Sequence, residues 1–285
     1  MQKIWVCGAR GQIGQAVNDV VDKLEFEMLD TDVDELDVTD TDEVLRFGEM
    51  NRPDIIINCS GMTDISSCEE NPSQAFKVNA LGARNLAIVA AKMQAKMVQL
   101  STDDVFDGKS TEPYTEFDIT NPGTVYGKSK LAGENYVKEF TTKHFIVRST
   151  WVYGKGQNFI NGFLKKVDAG EQLSIASDQF GSPTSANELA RFLLHLVHTS
   201  EYGTYHATNK GVCSRYAFAQ EILKMTGKTA SMQPVPTVMS DFSKVRPAYA
   251  VLDNFIMSMV PIYDFPDWQD SLREYLEERG LYHAE

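Results

Sequence analysis

The sequence is short of several things, and each shortage closes a class of function. It holds four cysteines in 285 residues, Cys7, Cys59, Cys68 and Cys213, and no two form a C-x-x-C pair. A zinc ribbon and a disulfide framework are thereby excluded, and reduced thiols in a cytoplasmic protein are expected. Positive charge is in deficit: 27 Lys and Arg face 40 Asp and Glu, a formal net charge of −13. A surface of that sign repels a polyanion, so no nucleic-acid partner is expected, although a local pocket can still be positive and take a small anion. No apolar run reaches the roughly eighteen residues that a bilayer requires, so no membrane partner is expected. The opening MQKIWVCGAR carries Lys3 and reaches Gly8 too soon for a secretory leader, and it reads as a first buried strand. Internal repeats and low-complexity tracts are also missing.

What is present alternates between two periods. KIWVC (3–7) is a short apolar run closed by glycine. GQIGQAVNDVVDKL (11–24) sets Ile13, Val17, Val20, Val21 and Leu24 at helical spacing. EFEML (25–29) is a second strand, and 39–50 opens on capping residues and continues as a helix. DIIINCS (54–60) is almost wholly apolar, the mark of a strand buried on both faces. One long helix is expected over 71–94, with Pro72 in its first turn. Strand four (96–101), a helix (126–140) and strand five (144–150) follow. Strands separated by helices require parallel pairing and right-handed crossovers. The fold class expected is α/β, a Rossmann-type doubly wound parallel sheet. Beyond about residue 150 the rhythm loosens. Helices are expected over 158–170, 185–199, 214–227 and 266–280, and strands over 171–176 and 203–208. The segment 231–247 holds three of the ten prolines and is expected to be mostly loop.

GARGQIG places Gly8, Gly11 and Gly14 between the first strand and the first helix. A dinucleotide site needs glycine there for a tight turn, for close approach of backbone to pyrophosphate, and for helix-on-strand packing. The helix N-terminus then offers free N–H groups and partial positive charge to the phosphates. Two cues on the form of nicotinamide oppose each other. Asp30 and Asp32, expected just past strand two, suit a ribose 2′-hydroxyl, whereas Arg10 in the glycine loop suits a 2′-phosphate. NADPH and NADH both stay open.

YGKSK puts Tyr126 and Lys130 four residues apart, on one face of a helix. A nearby ammonium favours a phenolate, so such a tyrosine can deliver a proton to a carbonyl oxygen as hydride reaches the carbon. In VQLSTDDVFDG (98–108), Asp103, Asp104 and Asp107 crowd around Thr102 at the end of a buried parallel strand, where such sheets bind ligands. On a continuing strand the adjacent Asp103 and Asp104 would point to opposite faces, so no metal is expected. Asp107 goes with Gly108 in an Asp-Gly turn.

GARGQIG, STDDVFDG, YGKSKLAGEN, RSTWVYGKGQNF and FGSPTSANELA together resemble the extended short-chain dehydrogenase/reductase superfamily and, within it, the dTDP-4-dehydrorhamnose reductases. The resemblance runs from the first strand to VRPAYAVLDN. Gln12 and the stretch Gly181 to Thr184 are its more specific marks. It implies an NAD(P)-binding domain over 1–150, joined by about 174–205. The rest of 151–285 is then mostly a smaller substrate-binding lobe, interleaved with the first. It also implies NADPH or NADH as cofactor and a nucleotide-sugar substrate, the 4-keto group of dTDP-4-dehydro-β-L-rhamnose being reduced to dTDP-L-rhamnose. A homodimer stays open.

By matched position, Thr102, Tyr126 and Lys130 form the catalytic set. Thr102 holds the keto oxygen, Tyr126 protonates it, and Lys130 tunes the tyrosine and binds the nicotinamide ribose. The cofactor set adds Ile13, Asp37 and Val38, then Cys59, Ser60, Gly61 and Thr63, and finally Asn79, to the glycines, Arg10, Gln12 and Asp30. The substrate set is Thr102, Asp103, Asp104 and Tyr126, with Trp151 against the sugar, Asn158 and Phe159 in the second lobe, and Arg246 as a diphosphate partner.

The chain also departs from that pattern. Ser60 to Thr63 reads SGMT where alanine-alanine-tyrosine-threonine is usual, so Met62 replaces an aromatic that lines the site. Ile65-Ser66 replaces valine-aspartate, and Asp104 stands where tyrosine is usual. Gln15 replaces the glutamate through which some members hold magnesium, and it supplies no charged ligand. Two related readings carry other functions. A nucleotide-sugar 4,6-dehydratase/epimerase would use adjacent carboxyls after strand four, but Asp104 is one methylene shorter than the glutamate found there. A regulatory subunit resembling that of methionine adenosyltransferase would bind the dinucleotide without catalysis.

Overall fold

The computed structural model describes residues 1–239 and 247–283. Five strands and their crossovers build the first half: β1 (Gln2–Cys7), α1 (Gln12–Val20), β2 (Phe26–Thr31), α2 (Thr41–Asn51), β3 (Ile55–Asn58), α3 (Ile65–Glu70), α4 (Pro72–Phe76), α5 (Ala83–Met93), β4 (Lys96–Thr102), α6 (Val125–Phe140) and β5 (His144–Ser149). The second half carries β6 (Val152–Tyr153), α7 (Phe159–Asp168), β7 (Leu173–Ala176), β8 (Phe180–Gly181), β9 (Thr184–Ser185), α8 (Ala186–Val197), β10 (Gly203–His206), β11 (Cys213–Ser214), α9 (Arg215–Thr226), β12 (Met232–Val235), α10 (Phe255–Met259) and α11 (Trp268–Glu278). None of the helices described is long and apolar enough to cross a membrane.

The main sheet has six strands in the order β10-β5-β4-β3-β1-β2, and every pairing in it is parallel. The chain winds outward from β1 in both directions, so the order reverses between β1 and β3. In such sheets ligands sit in the crevice beyond the strand ends at that switch. Strand residues alternate between two cores, as the two-residue period demands. Ile4, Val6, Ile55, Ile57, Val98, Leu100, Phe145 and Val147 face the side covered by α1 and α8. Trp5, Ile56, Met97 and Ile146 face the side covered by α2, α5 and α6. Each fully buried Ile or Val side chain is worth about 1.5–3 kcal/mol against exposure. The uninterrupted run Ile55-Ile56-Ile57 thus anchors the sheet from both faces at once.

A third core joins α7, β7, α9 and α11 through Phe163, Leu173, Ile175, Phe218, Ile222, Trp268 and Leu272. β10, from the second half, belongs to the main sheet, while β7 lies in this third core.

Three expectations change. The helix expected over 71–94 is interrupted by a single wide turn of π type at Lys77–Gly82, between α4 and α5. The extra width lets Asn79 turn away from the helix: its Oδ1 accepts from the Met62 N–H (2.8 Å), and its Nδ2 donates to Met62 O and to Ser129 Oγ (2.9 Å each). Within 231–247, expected to be mostly loop, β12 pairs in parallel with β7. Its Pro234 is tolerated because β12 is an edge strand with β7 as its one neighbour in a two-stranded sheet. The first helix stops at Val20, and Leu24 is 91% exposed in the turn beyond it.

Candidate active site

The glycine loop leaves β1 at Gly8, whose φ of +74° suits only glycine. A Cβ there would fall 2.7 Å from Ser60 N, so the ends of β1 and β3 touch through backbone. The loop and strand ends wall a cleft of about 520 Å³. Gly8, Arg10 and Gly11 line it from the loop, Asp32, Asp37 and Val38 from beyond β2, and Cys59, Ser60, Gly61 and Met62 from beyond β3. Because β2 continues to Thr31, Asp30 lies inside the strand with its side chain exposed and off the cleft, and Asp32 takes the place at its end. Thr63 is exposed, while Ile13 and Gln12 sit on α1. Gln12 Nε2 reaches across to Gln157 O (2.9 Å), tying the glycine loop to the second half of the chain.

The tyrosine helix arrives from the other side. Thr124 caps α6 by accepting from Gly127 N–H (2.9 Å), and Glu69 Oε1 accepts from Val125 N–H (2.7 Å). α6 lies so close to the end of β4 that a Cβ on Gly127 would stand 2.0 Å from Asp104 O. Tyr126, the neighbour of Gly127, is buried together with Cys68 and Ala75, with Met62 packed against the group. One turn on, Lys130 is buried, and its Nζ lies 3.8 Å from the point where a Cβ on Gly61 would stand. Burial pushes the Lys130 ammonium down to about 8, against the upward pull of Glu134 and Cys59. The Cys59 thiol is pushed up to about 12 by burial, so it is a neutral wall and not a nucleophile.

At the end of β4 the strand does not continue; a 3₁₀ turn spans Asp103–Val105. Thr102 Oγ1 donates to Asp103 Oδ1 (2.9 Å) and accepts from Asp104 N–H (3.2 Å). Thr150 Oγ1 donates to the other oxygen of Asp103 (2.9 Å). Asp103 therefore orients two threonines, and Asp104 is buried in the same turn, 1% exposed. Behind them lies a buried ion pair. Arg148 Nε and Nη2 donate to the two oxygens of Glu134 (2.9 and 2.7 Å), and Ser101 Oγ donates to Glu134 Oε1 (2.5 Å). Among the described residues, no group of three or more His, Cys, Asp or Glu side chains is placed to hold a metal ion.

Trp151 follows β5 with φ +46°, in the left-handed region that a tryptophan rarely adopts. Its ring is clamped: a Cβ on Gly181 would fall 2.6 Å from Trp151 Cε2, and the Arg215 guanidinium stacks over the ring at 3.4 Å. The same guanidinium lies 4.8 Å from the centre of Phe159. Arg215 escaped sequence reasoning, because an arginine at the first position of a helix carries no local sign of aromatic partners. Asn158 caps α7 and donates to Gly154 O (2.6 Å) and to Tyr275 Oη (3.2 Å), so it holds that wall in place. Arg246 lies outside the described residues.

A glycine loop at the switch point of a parallel sheet, with a tyrosine and a lysine one helical turn apart beside it, defines a dinucleotide-binding protein of the extended short-chain dehydrogenase/reductase class. More narrowly, residues 1–280 match the family model "RmlD substrate binding domain", and the chain belongs to that family. It is 35% identical to the spore coat polysaccharide biosynthesis protein SpsK of Bacillus subtilis, over 98% of this chain and 99% of that protein. It resembles the crystal structure of a dTDP-4-dehydrorhamnose reductase from Clostridium acetobutylicum, with TM-score 0.95, 40% identity, and 98% of this chain and 100% of that one covered. The dTDP-4-dehydrorhamnose reductase of Bacillus anthracis in complex with NADP gives TM-score 0.94 and 35% identity, with 98% and 100% covered.

Proposed function

We propose that the protein reduces the 4-keto group of a nucleotide sugar with NADPH or NADH, converting dTDP-4-dehydro-β-L-rhamnose to dTDP-L-rhamnose. The observation that supports this reading is the close approach of α6, which carries Tyr126 and Lys130, to the end of β4, which carries Thr102: a Cβ on Gly127 would stand 2.0 Å from Asp104 O, and Lys130 Nζ lies 3.8 Å from where a Cβ on Gly61 of the cleft wall would stand. The two reductases named above share the fold over nearly their full length, which supports the substrate class.

The cleft fits a dinucleotide. Its glycine loop presents bare backbone and the N-terminus of α1, and a side chain on Gly8 would close the approach to Ser60. The hydride that the keto carbon accepts would come from a nicotinamide held there. Tyr126 gives its phenolic proton to the keto oxygen, so the C=O bond becomes CH–OH and the phenolate is left to be reprotonated from water. Lys130, when charged, would stabilise that phenolate and, lying near Gly61, would help to hold the ribose. Thr102, held by Asp103 and the Asp104 N–H, presents its hydroxyl to the same oxygen once it turns its proton outward. Asn79, through the Met62 backbone and Ser129, keeps the β3 loop and α6 in register. Trp151 walls the sugar, Phe159 and Arg215 support that wall, and Arg246 takes the diphosphate. The main sheet with α8 and β10 serves as the nucleotide lobe and the third core as the substrate lobe. Four free thiols support a reducing, cytoplasmic setting.

The test is the fall in nicotinamide fluorescence when a dTDP-4-keto sugar is added to the protein with NADPH or NADH. Oxidation that requires the sugar is expected. No oxidation with that sugar or with other nucleotide 4-keto sugars sinks the reading. Tyr126→Phe is expected to keep dinucleotide binding and lose turnover by about 10²–10⁴-fold, the usual worth of a positioned acid. Unchanged turnover would show that Tyr126 is not the donor.

A further inference from the structure

We propose that the adenosine end of the cleft selects NADH over NADPH, because Arg10, the one basic side chain lining it among the described residues, is already held by carboxylates. The proposal rests on the reading of the cleft as a dinucleotide site and concerns which form that site takes.

A ribose 2′-phosphate brings between one and two negative charges and three acceptor oxygens. A site that welcomes it offers a free cation with free donors. Of the described residues lining the cleft, Arg10 is the only arginine or lysine, and Asp32 and Asp37 are the acids beside it. The Arg10 guanidinium is engaged on the edge it turns toward β2. Its Nη2 donates to Asp34 Oδ2 and to Glu35 Oε2 (2.9 Å each), and its Nε lies 3.8 Å from Asp32 Oδ2. One positive charge thus faces three negative ones.

Asp32 cannot swing out of the way. Its Oδ2 accepts from the Arg10 N–H (3.0 Å) and its Oδ1 from the Val33 N–H (2.8 Å). Glu35 is tied back into the same turn by accepting from the Asp32 N–H (3.0 Å). A fixed carboxylate just beyond β2 is placed to accept a hydrogen bond from a ribose 2′-hydroxyl and to repel a 2′-phosphate. The sequence alone set Arg10 against the acids without choosing between them; the geometry turns Nη2 of the arginine onto two of those acids and its charge toward all three. The Bacillus anthracis relative was crystallised with NADP, so the fold admits the phosphate. The discrimination argued here belongs to this chain's own Arg10, Asp32, Asp34 and Glu35.

The experiment measures dissociation constants of NADH and NADPH for the full chain, by calorimetry at low ionic strength and without sugar, alongside KM for each. NADH is expected to bind on the order of tenfold more tightly. Asp34→Asn removes only a contact to Arg10, and it is expected to narrow the ratio severalfold. Asp34→Asn with Glu35→Gln, which leaves Asp32 as the one of the three carboxylates still charged against the guanidinium, is expected to move it toward NADPH by on the order of tenfold. Raising ionic strength from about 0.02 M to about 0.5 M should shrink the wild-type preference, since these charges are open to solvent. Equal or tighter binding of NADPH by the wild type overturns the proposal. So does an Arg10→Ala variant that loses NADPH binding while keeping NADH, because that arginine would then be reading phosphate. Failure of both dinucleotides to bind would instead overturn the cleft reading itself, and this proposal with it.

Discussion

Two charged clusters flank the cleft, and water makes them different devices. Around Arg10 the guanidinium side chain is 55% exposed and Asp34 is 76% exposed. Behind Thr102, Arg148 and Glu134 are 4% and 0% exposed, joined by two hydrogen bonds of a bidentate pair. The first cluster sits in high dielectric, where an ion pair adds little to folding but still shapes the potential that a ligand meets. The second has given up its hydration, so its members depend on each other. One region chooses what binds; the other fixes where the end of β4 stands.

The largest effect is expected from breaking the buried pair. Without Arg148, the buried Glu134 carboxylate would keep the Ser101 hydroxyl and, at 3.8 Å, the half-exposed Lys138, but would lose both hydrogen bonds of its bidentate partner. His206, edge-on to Phe106, offers no compensating charge, because burial and the nearby Arg148 push it down to about 3. Arg148→Met alone should destabilise the protein by about 3–5 kcal/mol in urea unfolding. Arg148→Met combined with Glu134→Leu should recover part of that loss, since the buried guanidinium and carboxylate are both gone, while the Lys130 ammonium loses the pull of Glu134 and Ser101 loses its acceptor. A loss below about 1 kcal/mol for the single variant would place the pair with the surface ones and break the comparison.

Lys130 stands between the two regimes, buried yet with its Nζ 3.8 Å from where a Cβ on Gly61 of the cleft wall would stand. Its folded value, about 8, lies below the ordinary 10.5 of lysine. Below about pH 8 both folded and unfolded chains carry the proton, and the folded state bears the full cost of a buried ammonium. Between about 8 and 10.5 the unfolded chain binds more protons, so stability rises with pH. Dinucleotide affinity should move the opposite way and fall as pH rises through about 8, because the charge beside the ribose is lost. Lys130→Met is expected to gain stability at pH 7, on the order of 3 kcal/mol at most, and to bind dinucleotide more weakly with no inflection near pH 8. Stability and affinity falling together in that variant would mean that the lysine is structural.

How much of this was legible depends on whether the signal is local. Ile55-Ile56-Ile57 and the spacing of Val17 and Val20 reveal strand and helix, because periodicity is written in consecutive residues. The glycine loop and the Tyr126–Lys130 spacing were legible for the same reason. The π turn was hidden, since what stabilises it is Asn79 meeting Met62 and Ser129, 17 and 50 residues away. β12 was hidden because Pro234 reads as a breaker unless one knows that it lies on an edge. Asp30 and Asp32 could not be ranked without the last residue of β2. Of the sandwich, Trp151 and Phe159 stood in a legible motif, but Arg215, which joins them from a distant helix, left no pattern.

That sandwich sets a buried cation against two aromatic faces, where the cluster behind Thr102 sets one against a carboxylate. Arg215 is 9% exposed with two aromatic faces against it. Replacing it with Ala should cost about 2 kcal/mol, the worth of a desolvated cation–π contact. It should also release the Trp151 ring, read as a shift in tryptophan emission and a higher KM for the sugar with little change in kcat. A fall in kcat at constant KM would instead give Arg215 a part in the chemical step.

The smallest structural effect is expected at the exposed cluster. Asp34→Asn removes a carboxylate whose bond to Arg10 is surrounded by solvent, and its midpoint of thermal unfolding should not differ measurably from wild type. The same variant should still narrow the preference for NADH. A ligand's 2′-phosphate meets the potential of all three carboxylates, whereas the fold gains almost nothing from any one of them. If Asp34→Asn lowered stability as Arg148→Met should, Arg10 would be a bolt of the glycine loop. Its acids would then serve the fold and not the choice of cofactor, and the contrast between the two clusters would disappear.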